Sequence, residues 1–198
     1  MKRLVDVVGA LIGLVITAPL IALVVVAIKL ESRGSAFFPH RRLGRGGKLF
    51  NCWKFRSMVE DAETHLHADE GLRHHYVSNH FKVPGHLDPR ITRLGRVLRR
   101  TSLDELPQLW NVLTGEMSLV GPRPIVPLES SYYGEELPAL LSVRPGLTGA
   151  WAVQGRSRVG YPARASLELD YVKNWTIAAD FRILARTPSA VFSQRGAF

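Results

Sequence analysis

The sequence has a single cysteine, Cys52, among 198 residues. One cysteine excludes an intrachain disulfide and favours a reducing compartment. Because it stands beside Trp53, we interpret it as a small core residue rather than a nucleophile. The sequence also lacks internal repeats, low-complexity tracts and any helix-turn-helix, RRM or zinc-finger pattern.

Acidic residues are scarce, since 17 Asp and Glu stand against 26 Lys and Arg and the net charge is +9. Such an excess favours anionic partners: nucleic acid, a membrane surface or phosphate-bearing substrates. Composition alone does not choose among them, but without a nucleic-acid-binding pattern we expect no nucleic-acid partner. With 46% apolar and 22% charged residues, we expect a packed core rather than disorder.

Charge is absent from residues 7–28. A helix of that length reaches roughly 33 Å, close to the ~30 Å hydrocarbon thickness of a bilayer. A cleaved signal peptide fits less well, because no clear small-residue cleavage site precedes Lys29. A buried soluble helix would need a large protein to cover it on all sides. We therefore expect residues 1–33 to anchor the chain in a membrane and residues 34–198 to form a separate folded domain.

The anchor has an internal proline, Pro19, which removes a backbone hydrogen bond near its middle. Thr17 is a candidate to compensate for that loss. Basic residues flank the segment on both sides, which weakens the orientation signal of a spanning helix: Lys2 and Arg3 precede it, and Lys29, Arg33, Arg41, Arg42 and Arg45 follow it. We favour a re-entrant helix that enters and leaves on the cytoplasmic face, with a kinked single span almost equally compatible with these residues.

The remainder predicts an α+β fold that is mostly helical. Aromatic-rich arms around Gly44–Gly47 predict a β-hairpin over residues 36–57. Residues 57–80 predict one or two polar helices broken near Gly71. Residues 88–100 predict a basic amphipathic helix, and residues 171–192 a final aromatic-rich helix. Both would suit a membrane interface, although solvated or packed helices share these patterns. We expect these elements around a compact cytoplasmic domain.

Five of the seven histidines lie within residues 65–80. A transition-metal site is one interpretation, but no HExxH motif is present and no cysteine assists. A solvated helical face is the favoured interpretation.

Two adjacent carboxylates, Asp104 and Glu105, lie in the stretch TSLDELP. Ser102 and Glu105 have the S-x-x-E spacing of a capping box, which alone would explain Glu105. Asp104 would then lie in the first helical turn, where the helix dipole favours a negative charge. Pro107 weakens this register and suggests a helix that begins at Pro107 itself. Taken alone, the pair is best explained by helix capping.

The surroundings of the pair favour phosphate chemistry. Arginines flank it, and these side chains bind phosphate oxygens bidentately: Arg90, Arg93, Arg96, Arg99, Arg100 and Arg123. Two carboxylates beside a phosphate call for a divalent cation, and Mg²⁺ takes one or two carboxylates with phosphate oxygens and water. A carboxylate can also attack phosphorus directly. The residues therefore predict a membrane-bound, Mg²⁺-dependent phosphoryl-type transferase, with Arg90 among the candidate phosphate-binding residues.

Longer motifs resemble a known family. They are KFRSM (54–58), DPRIT (88–92), LRRTSLDELPQLWNVLTGEMSLVGPRP (98–124), RPGLTGAW (144–151) and QGR (154–156). They resemble the bacterial sugar transferases, the monotopic polyprenol-phosphate phosphoglycosyl transferases. The resemblance runs from the anchor nearly to the C-terminus. We expect the chain to approximate the family's minimal catalytic unit, without the extra transmembrane helices of longer members.

The resemblance implies transfer of a sugar-1-phosphate from a UDP-sugar to undecaprenyl phosphate, at the cytoplasmic face of the bacterial inner membrane. The products are a polyprenyl-diphosphate-sugar and UMP, formed through a covalent aspartyl-phosphosugar. Asp104 matches the nucleophile, and Glu105 its partner, a Mg²⁺ ligand with Asp104 or a proton-handling group. Lys54, Arg99 and Arg123 match phosphate-binding positions. The sugar, the glycan pathway and the oligomeric state are not specified.

Two positions depart from the family pattern. Ala18 stands where the family often has serine before the hinge proline, Pro19, and Glu168 stands where aspartate is expected. Neither touches the acidic pair. Two other classes remain as alternatives: a membrane-tethered basic module that binds acidic lipid or nucleic acid, and an inactive scaffold.

Overall fold

The computed structural model describes residues 1–79, 83–85, 87–155 and 158–192. The described chain is mostly helical with two small sheets, as the α+β prediction requires. The α-helices are α1 (Lys2–Glu31), α2 (Ala62–Ala68), α3 (Glu70–Ser78), α4 (Arg93–Thr101), α5 (Gln108–Thr114), α6 (Leu137–Leu140), α7 (Ala150–Val153), α8 (Ala163–Lys173) and α9 (Ile177–Phe192). The strands are β1 (Phe37–Leu43), β2 (Leu49–Phe55), β3 (Ser118–Val120) and β4 (Gly146–Thr148).

Helix α1 continues through Pro19 without a break. The Thr17 hydroxyl donates to the Gly13 carbonyl at 2.7 Å. It therefore does not replace the helical donor that Pro19 removes, whose acceptor would be the Val15 carbonyl. The helix is long and apolar enough to cross a membrane, and only 11% of its most apolar window is buried against the rest of the protein. Its path relative to a bilayer stays a prediction.

Both halves of α1 pack against the same folded unit. Near the amino end, Ala10 lies in an apolar cluster with Cys52 of β2 and Val112 of α5. Near the carboxyl end, Val24 and Ile28 lie in a second cluster with Phe55 of β2 and Leu98 of α4. Helix α1 is therefore part of the hydrophobic core and also presents an exposed apolar surface. Cys52 is fully buried, in agreement with its interpretation as a core residue.

The predicted β-hairpin is confirmed. Strands β1 and β2 pair antiparallel, with Phe37 opposite Phe55 and Leu43 opposite Leu49. The connecting turn places Gly46 and Gly47 at φ of 69° and 74°, a region that glycine adopts without strain. The hairpin carries Lys54 on its second strand, so its register decides where that ammonium lies.

Strands β3 and β4 form a parallel pair that the sequence did not predict. They bring the GPRP motif beside the RPGLTGAW motif. At this crossing a Cβ on Gly146 would overlap the backbone nitrogen of Gly121, so the two chains approach more closely than other residues allow. The glycines of both motifs therefore serve the crossing that positions Arg123 and Trp151.

One helix prediction is confirmed and one is wrong. The 57–80 segment forms α2 and α3, and the predicted break near Gly71 lies at Asp69, whose side chain accepts from the Leu72 backbone N–H and begins α3. The predicted single helix over 171–192 is wrong, because α8 ends at Lys173 and α9 begins at Ile177. Thr176 accepts from the Ala179 N–H and begins the new helix.

The basic amphipathic helix predicted over residues 88–100 is confirmed as α4 only from Arg93 onward, because Thr92 accepts from the Gly95 N–H and begins the helix. Leu98 is buried, and Gly95 lies so close to the Ser57 carbonyl that a Cβ would overlap it. Helix α4 therefore packs tightly against the end of the hairpin, and this contact fixes the start of the acidic segment that follows.

Candidate active site

The acidic pair lies on a tight link between two helices. Helix α4 ends at Thr101, and Ser102 adopts a left-handed conformation with φ of 59°. A 3₁₀ turn then spans Leu103–Glu105, and α5 begins at Gln108 directly after Pro107. The predicted capping box is wrong, because the Ser102 side chain makes no capping hydrogen bond. The alternative, a helix that begins around Pro107, is confirmed.

Asp104 is buried, with 7% of its surface exposed. Burial, together with the nearby Glu105 charge, raises the pKa of its carboxyl group to about 6, although Lys54 and Arg99 oppose the shift. A carboxylate with such a pKa is ionised at neutral pH yet poorly solvated. This combination suits a nucleophile.

Lys54 connects the two acids. Its ammonium lies 2.7 Å from a Glu105 oxygen and 3.9 Å from an Asp104 oxygen. The hairpin therefore delivers one cation to both members of the pair. Sequence analysis predicted each of these three residues as a site residue, and the fold brings them together.

Arg99 is held on the same side of the molecule by α4. Its Nε donates to the Ser57 hydroxyl at 2.8 Å. Burial lowers the pKa of its guanidinium, while the Asp104 charge acts in the opposite direction. The predicted phosphate-binding Arg99 thus lies within the electrostatic reach of Asp104.

Arg123 follows β3 and lines a small cleft beside the acidic pair. Its guanidinium stacks over the Trp151 ring at 5.2 Å. Its backbone N–H donates to Glu168 at 3.3 Å. Lys54 and Glu105 line the same cleft, so Arg123 shares a site with two of the predicted residues.

Arg90 lies in a different arrangement. Its guanidinium forms a bidentate pair with Asp88, with both distances 2.8 Å, and 7% of the residue is exposed. It does not line the cleft. This ion pair joins two residues of the DPRIT motif and so gives Arg90 a structural role. Its role in binding phosphate stays a prediction.

Sequence analysis missed three residues that line the cleft, Arg42, Gln108 and Trp151. Arg42 is buried, donates to the Pro124 carbonyl at 2.9 Å and lies 3.4 Å from Glu129. Its position among the basic residues after the anchor gave no distinguishing signal. Trp151 and Gln108 stand within the quoted family motifs, which was the available signal.

His40 lies beside Arg42 on β1, where the Arg42 guanidinium approaches its Nδ1 at 3.3 Å. Burial and the neighbouring Arg42 charge lower the pKa of His40 to about 2. The imidazole is therefore neutral at physiological pH, and it supports Arg42 as a hydrogen-bond acceptor.

Glu168 occupies the position where the family pattern has aspartate. It is 1% exposed and accepts from the Tyr133 hydroxyl as well as from Arg123 N–H. Burial raises its pKa to about 7, against the effect of the Tyr133 hydrogen bond. The longer acid thus remains hydrogen-bonded and ties α8 to the loop that carries Arg123.

The carboxylates of Asp104 and Glu105 are hard oxygen donors of the kind that Mg²⁺ prefers with phosphate oxygens and water. Both already face a cation, the Lys54 ammonium. The donor set therefore fits a magnesium ion that completes its coordination with substrate. Among the described residues no group of three or more His, Cys, Asp or Glu forms a metal site, including the described part of the histidine-rich segment. His80 and Arg156 of the QGR motif lie outside the described residues.

A long apolar helix, a buried carboxylate and a cleft lined by cations together suit a membrane-associated protein with a site for anionic ligands. The sequence model of the bacterial sugar transferases matches residues 1–194. The chain belongs to this family.

Three named relatives are similar to the chain over its whole length. The chain is 43% identical over 201 residues to an undecaprenyl-phosphate galactose phosphotransferase of Salmonella typhimurium, covering 100% of this chain and 42% of that protein. It is 39% identical over 208 residues to a UDP-glucose:undecaprenyl-phosphate glucose-1-phosphate transferase of Caulobacter vibrioides, covering 100% of this chain and 72% of that protein. It is also 42% identical to the exopolysaccharide production protein ExoY of Sinorhizobium fredii, covering 100% and 88%. The chain spans about two fifths of the length of the curated relatives to which it is 43% identical.

Proposed function

We propose that the protein transfers a sugar-1-phosphate from a UDP-sugar to undecaprenyl phosphate and so initiates the assembly of a surface glycan or glycoconjugate. The observation that carries this proposal is the buried Asp104 carboxylate, paired with Lys54 and Glu105, in a chain of the bacterial sugar transferase family. Relatives whose names include this reaction add support.

The proposed course has two displacements at one phosphorus. In the first, an Asp104 oxygen bonds to the phosphorus that carries the sugar, and the bond to the bridging diphosphate oxygen breaks. UMP leaves with that electron pair. In the second, a phosphate oxygen of undecaprenyl phosphate bonds to the same phosphorus, and the bond to Asp104 breaks. The carboxylate is restored, and the product is the lipid diphosphate sugar.

Each site residue has a role in this course. Lys54 and Arg99 offset negative charge around the attacked phosphate, and Arg123 binds a phosphate at the cleft. Glu105 keeps Lys54 in place, at 2.7 Å. Mg²⁺ bound by Glu105 and Asp104 would supply charge neutralisation for the diphosphate.

The anchor supports a lipid-borne acceptor. Undecaprenyl phosphate is confined to the membrane, and α1 presents an apolar surface that suits insertion. We propose that α1 is re-entrant and that the catalytic domain lies at the cytoplasmic face of the bacterial inner membrane, since both halves of the helix pack on one domain.

The decisive test uses Asp104→Asn in the full chain. Wild type should release UMP from a UDP-sugar, with a burst stoichiometric with enzyme when undecaprenyl phosphate is withheld. The variant should show no burst and lose at least about a thousandfold in turnover, since no nucleophile remains. A panel of UDP-sugars identifies the donor by the same assay. A binding module or scaffold would give no UMP in either protein, and normal release by the variant would exclude the covalent course.

A further inference from the structure

The cleft beside the acidic pair contains three buried N–H groups that lack acceptors. They are Nε of Arg42, Nε of Arg123 and the indole Nε1 of Trp151, and within residues 1–79, 83–85, 87–155 and 158–192 none of them has a hydrogen-bond partner. All three side chains line the same cleft. A buried donor without an acceptor is costly, and three around one space indicate a ligand rich in acceptors.

Neighbouring groups hold the Arg42 guanidinium in place. Its terminal nitrogens contact the Pro124 carbonyl, Glu129 and His40, while its Nε has no partner. The guanidinium is thus fixed in orientation before a ligand arrives. Arg123 is likewise fixed, because it stacks over Trp151 at 5.2 Å. Preorganised donors of this kind suit a compact anion.

The cleft is too small for a whole nucleotide sugar, because its free space is about that of one water molecule. Only the oxygens at one end of a small anion can enter it. Asp104 is not among the lining residues, whereas Lys54 and Glu105 are. Because the Lys54 ammonium also lies 3.9 Å from an Asp104 oxygen, the cleft adjoins the nucleophile.

In-line displacement at phosphorus places the two phosphate monoesters on the same side of the attacked atom. The attacking and leaving oxygens lie roughly in line on opposite sides of the phosphorus. In the first displacement Asp104 attacks and the UMP phosphate is opposite. In the second Asp104 leaves, so the attacking phosphate of undecaprenyl phosphate must be opposite as well. The two phosphate monoesters occupy the same position in turn.

We infer that Arg42, Arg123 and Trp151 form one phosphate-monoester site that binds the UMP phosphate in the first half-reaction and the undecaprenyl phosphate headgroup in the second. This inference rests on the proposed function and adds Arg42 and Trp151 as substrate-binding residues. Glu105, which also lines the cleft, has its charge offset by Lys54 at 2.7 Å. A phosphate monoester presents three acceptor oxygens and nearly two negative charges, which match three N–H donors from two guanidinium groups and an indole.

The test replaces single donors and follows both half-reactions in the full chain. Trp151→Phe removes the indole N–H while it retains a ring beneath Arg123, and Arg42→Lys retains the charge but removes Nε. Each should weaken UMP binding in calorimetry by about tenfold, the value of one hydrogen bond to a charged group, with little change for uridine. Each should also raise the concentration of undecaprenyl phosphate needed to discharge the preformed covalent intermediate, by a similar factor.

Matched controls remove the same groups elsewhere. Trp175→Phe removes an indole N–H that donates to Asp180 at 3.1 Å, and Arg144→Lys removes an Nε that donates to the Gly115 carbonyl at 2.7 Å. Neither residue lines the cleft, so both variants should bind UMP as wild type does. Thermal unfolding of all four variants shows which retain the fold.

The outcomes separate the two hypotheses. If wild type releases UMP but folded Trp151→Phe and Arg42→Lys proteins bind it normally, the shared site is wrong while the transferase stands. If only UMP or only undecaprenyl phosphate is affected, the two phosphates use different sites and the inference is again overturned. If wild type releases no UMP from any UDP-sugar, the proposed function itself fails.

Discussion

At the residue scale, burial of the Asp104 carboxylate destabilises the folded protein and leaves the carboxylate poorly solvated, which favours its reaction. Its pKa of about 6 in the folded protein compares with an ordinary aspartate value of 3.8. Between about pH 4 and 6 the folded state therefore binds more protons than the unfolded state, and the free energy of unfolding falls as pH rises through this window. Above pH 6 the raised pKa of Asp104 lowers the free energy of unfolding by roughly 3 kcal/mol.

Asp104→Asn should consequently stabilise the protein while it abolishes turnover. We expect the variant to unfold with up to ~3 kcal/mol more free energy than wild type at pH 7.5, since a buried charge is replaced by a neutral isostere. Below about pH 4 the difference should vanish. Denaturant unfolding at the two pH values measures it; equal stability of both proteins at pH 7.5 would show that Asp104 is not strained by burial.

The rate of the first half-reaction should follow the ionisation of Asp104. Attack requires the carboxylate, so the UMP burst rate should rise with pH and reach half its maximum near pH 6. Glu105→Gln removes a like charge that raises the Asp104 pKa, so its midpoint should lie lower, whatever its maximal rate. Single-turnover rates from pH 5 to 8 give both midpoints. A midpoint that stays in place in Glu105→Gln would contradict the coupling.

At the scale of elements, the amino end of α1 is fastened to β3 by Asp6. This 3% exposed carboxylate accepts from the Ser118 hydroxyl at 2.9 Å and from the Leu119 N–H at 3.0 Å. Asp6→Ala would leave two donors without their acceptor and should cost about 3 kcal/mol in the free energy of unfolding in detergent. Glu31→Ala removes an exposed acceptor of the Leu94 N–H and should cost under about 1 kcal/mol. Equal losses would contradict the difference in burial.

Local signals predicted some elements and not others. The hairpin was predictable because glycines mark its turn and aromatic residues its arms, and α4 because Leu94 and Leu98 recur on one face. Strands of three residues, such as β3 and β4, are too short for a periodic pattern. Glu105 was first explained by a capping box because that rule considers only residues nearby in sequence. In the folded protein the carboxylate instead pairs with Lys54, which is distant in sequence, at 2.7 Å.

The site residues also fall into those that the sequence predicted and those that it did not. Asp104, Lys54, Glu105 and Arg123 stand in long motifs, and the fold brings them together. Arg42 was not predicted as a site residue, because basic residues that follow an apolar segment are explained by attraction to a membrane surface. Its burial against Glu129 and Pro124 depends on long-range packing that no local pattern encodes.

At the scale of the whole molecule, the arrangement of α1 constrains its path through a membrane. Lys2 contacts Val120 and Asp180 at one end of the helix, and Glu31 accepts from Leu94 at the other. The two ends of a straight spanning helix are separated by about 30 Å of hydrocarbon. A domain outside the membrane cannot contact both, so the packing favours a helix that enters and leaves on one side.

Cysteine labelling tests this topology. In a Cys52→Ala background, Leu4→Cys and Arg33→Cys place thiols at exposed positions near the two ends of α1, and Ile16→Cys places one at its 72% exposed middle. A membrane-impermeant maleimide should label both end positions in inverted inner-membrane vesicles and neither in intact spheroplasts, because both face the cytoplasm. Ile16→Cys should resist labelling in each preparation until detergent is added, since lipid covers it. Labelling of one end from each side would show a spanning helix, and the domain contacts of Lys2 and Glu31 would then be incompatible with the membrane-bound protein.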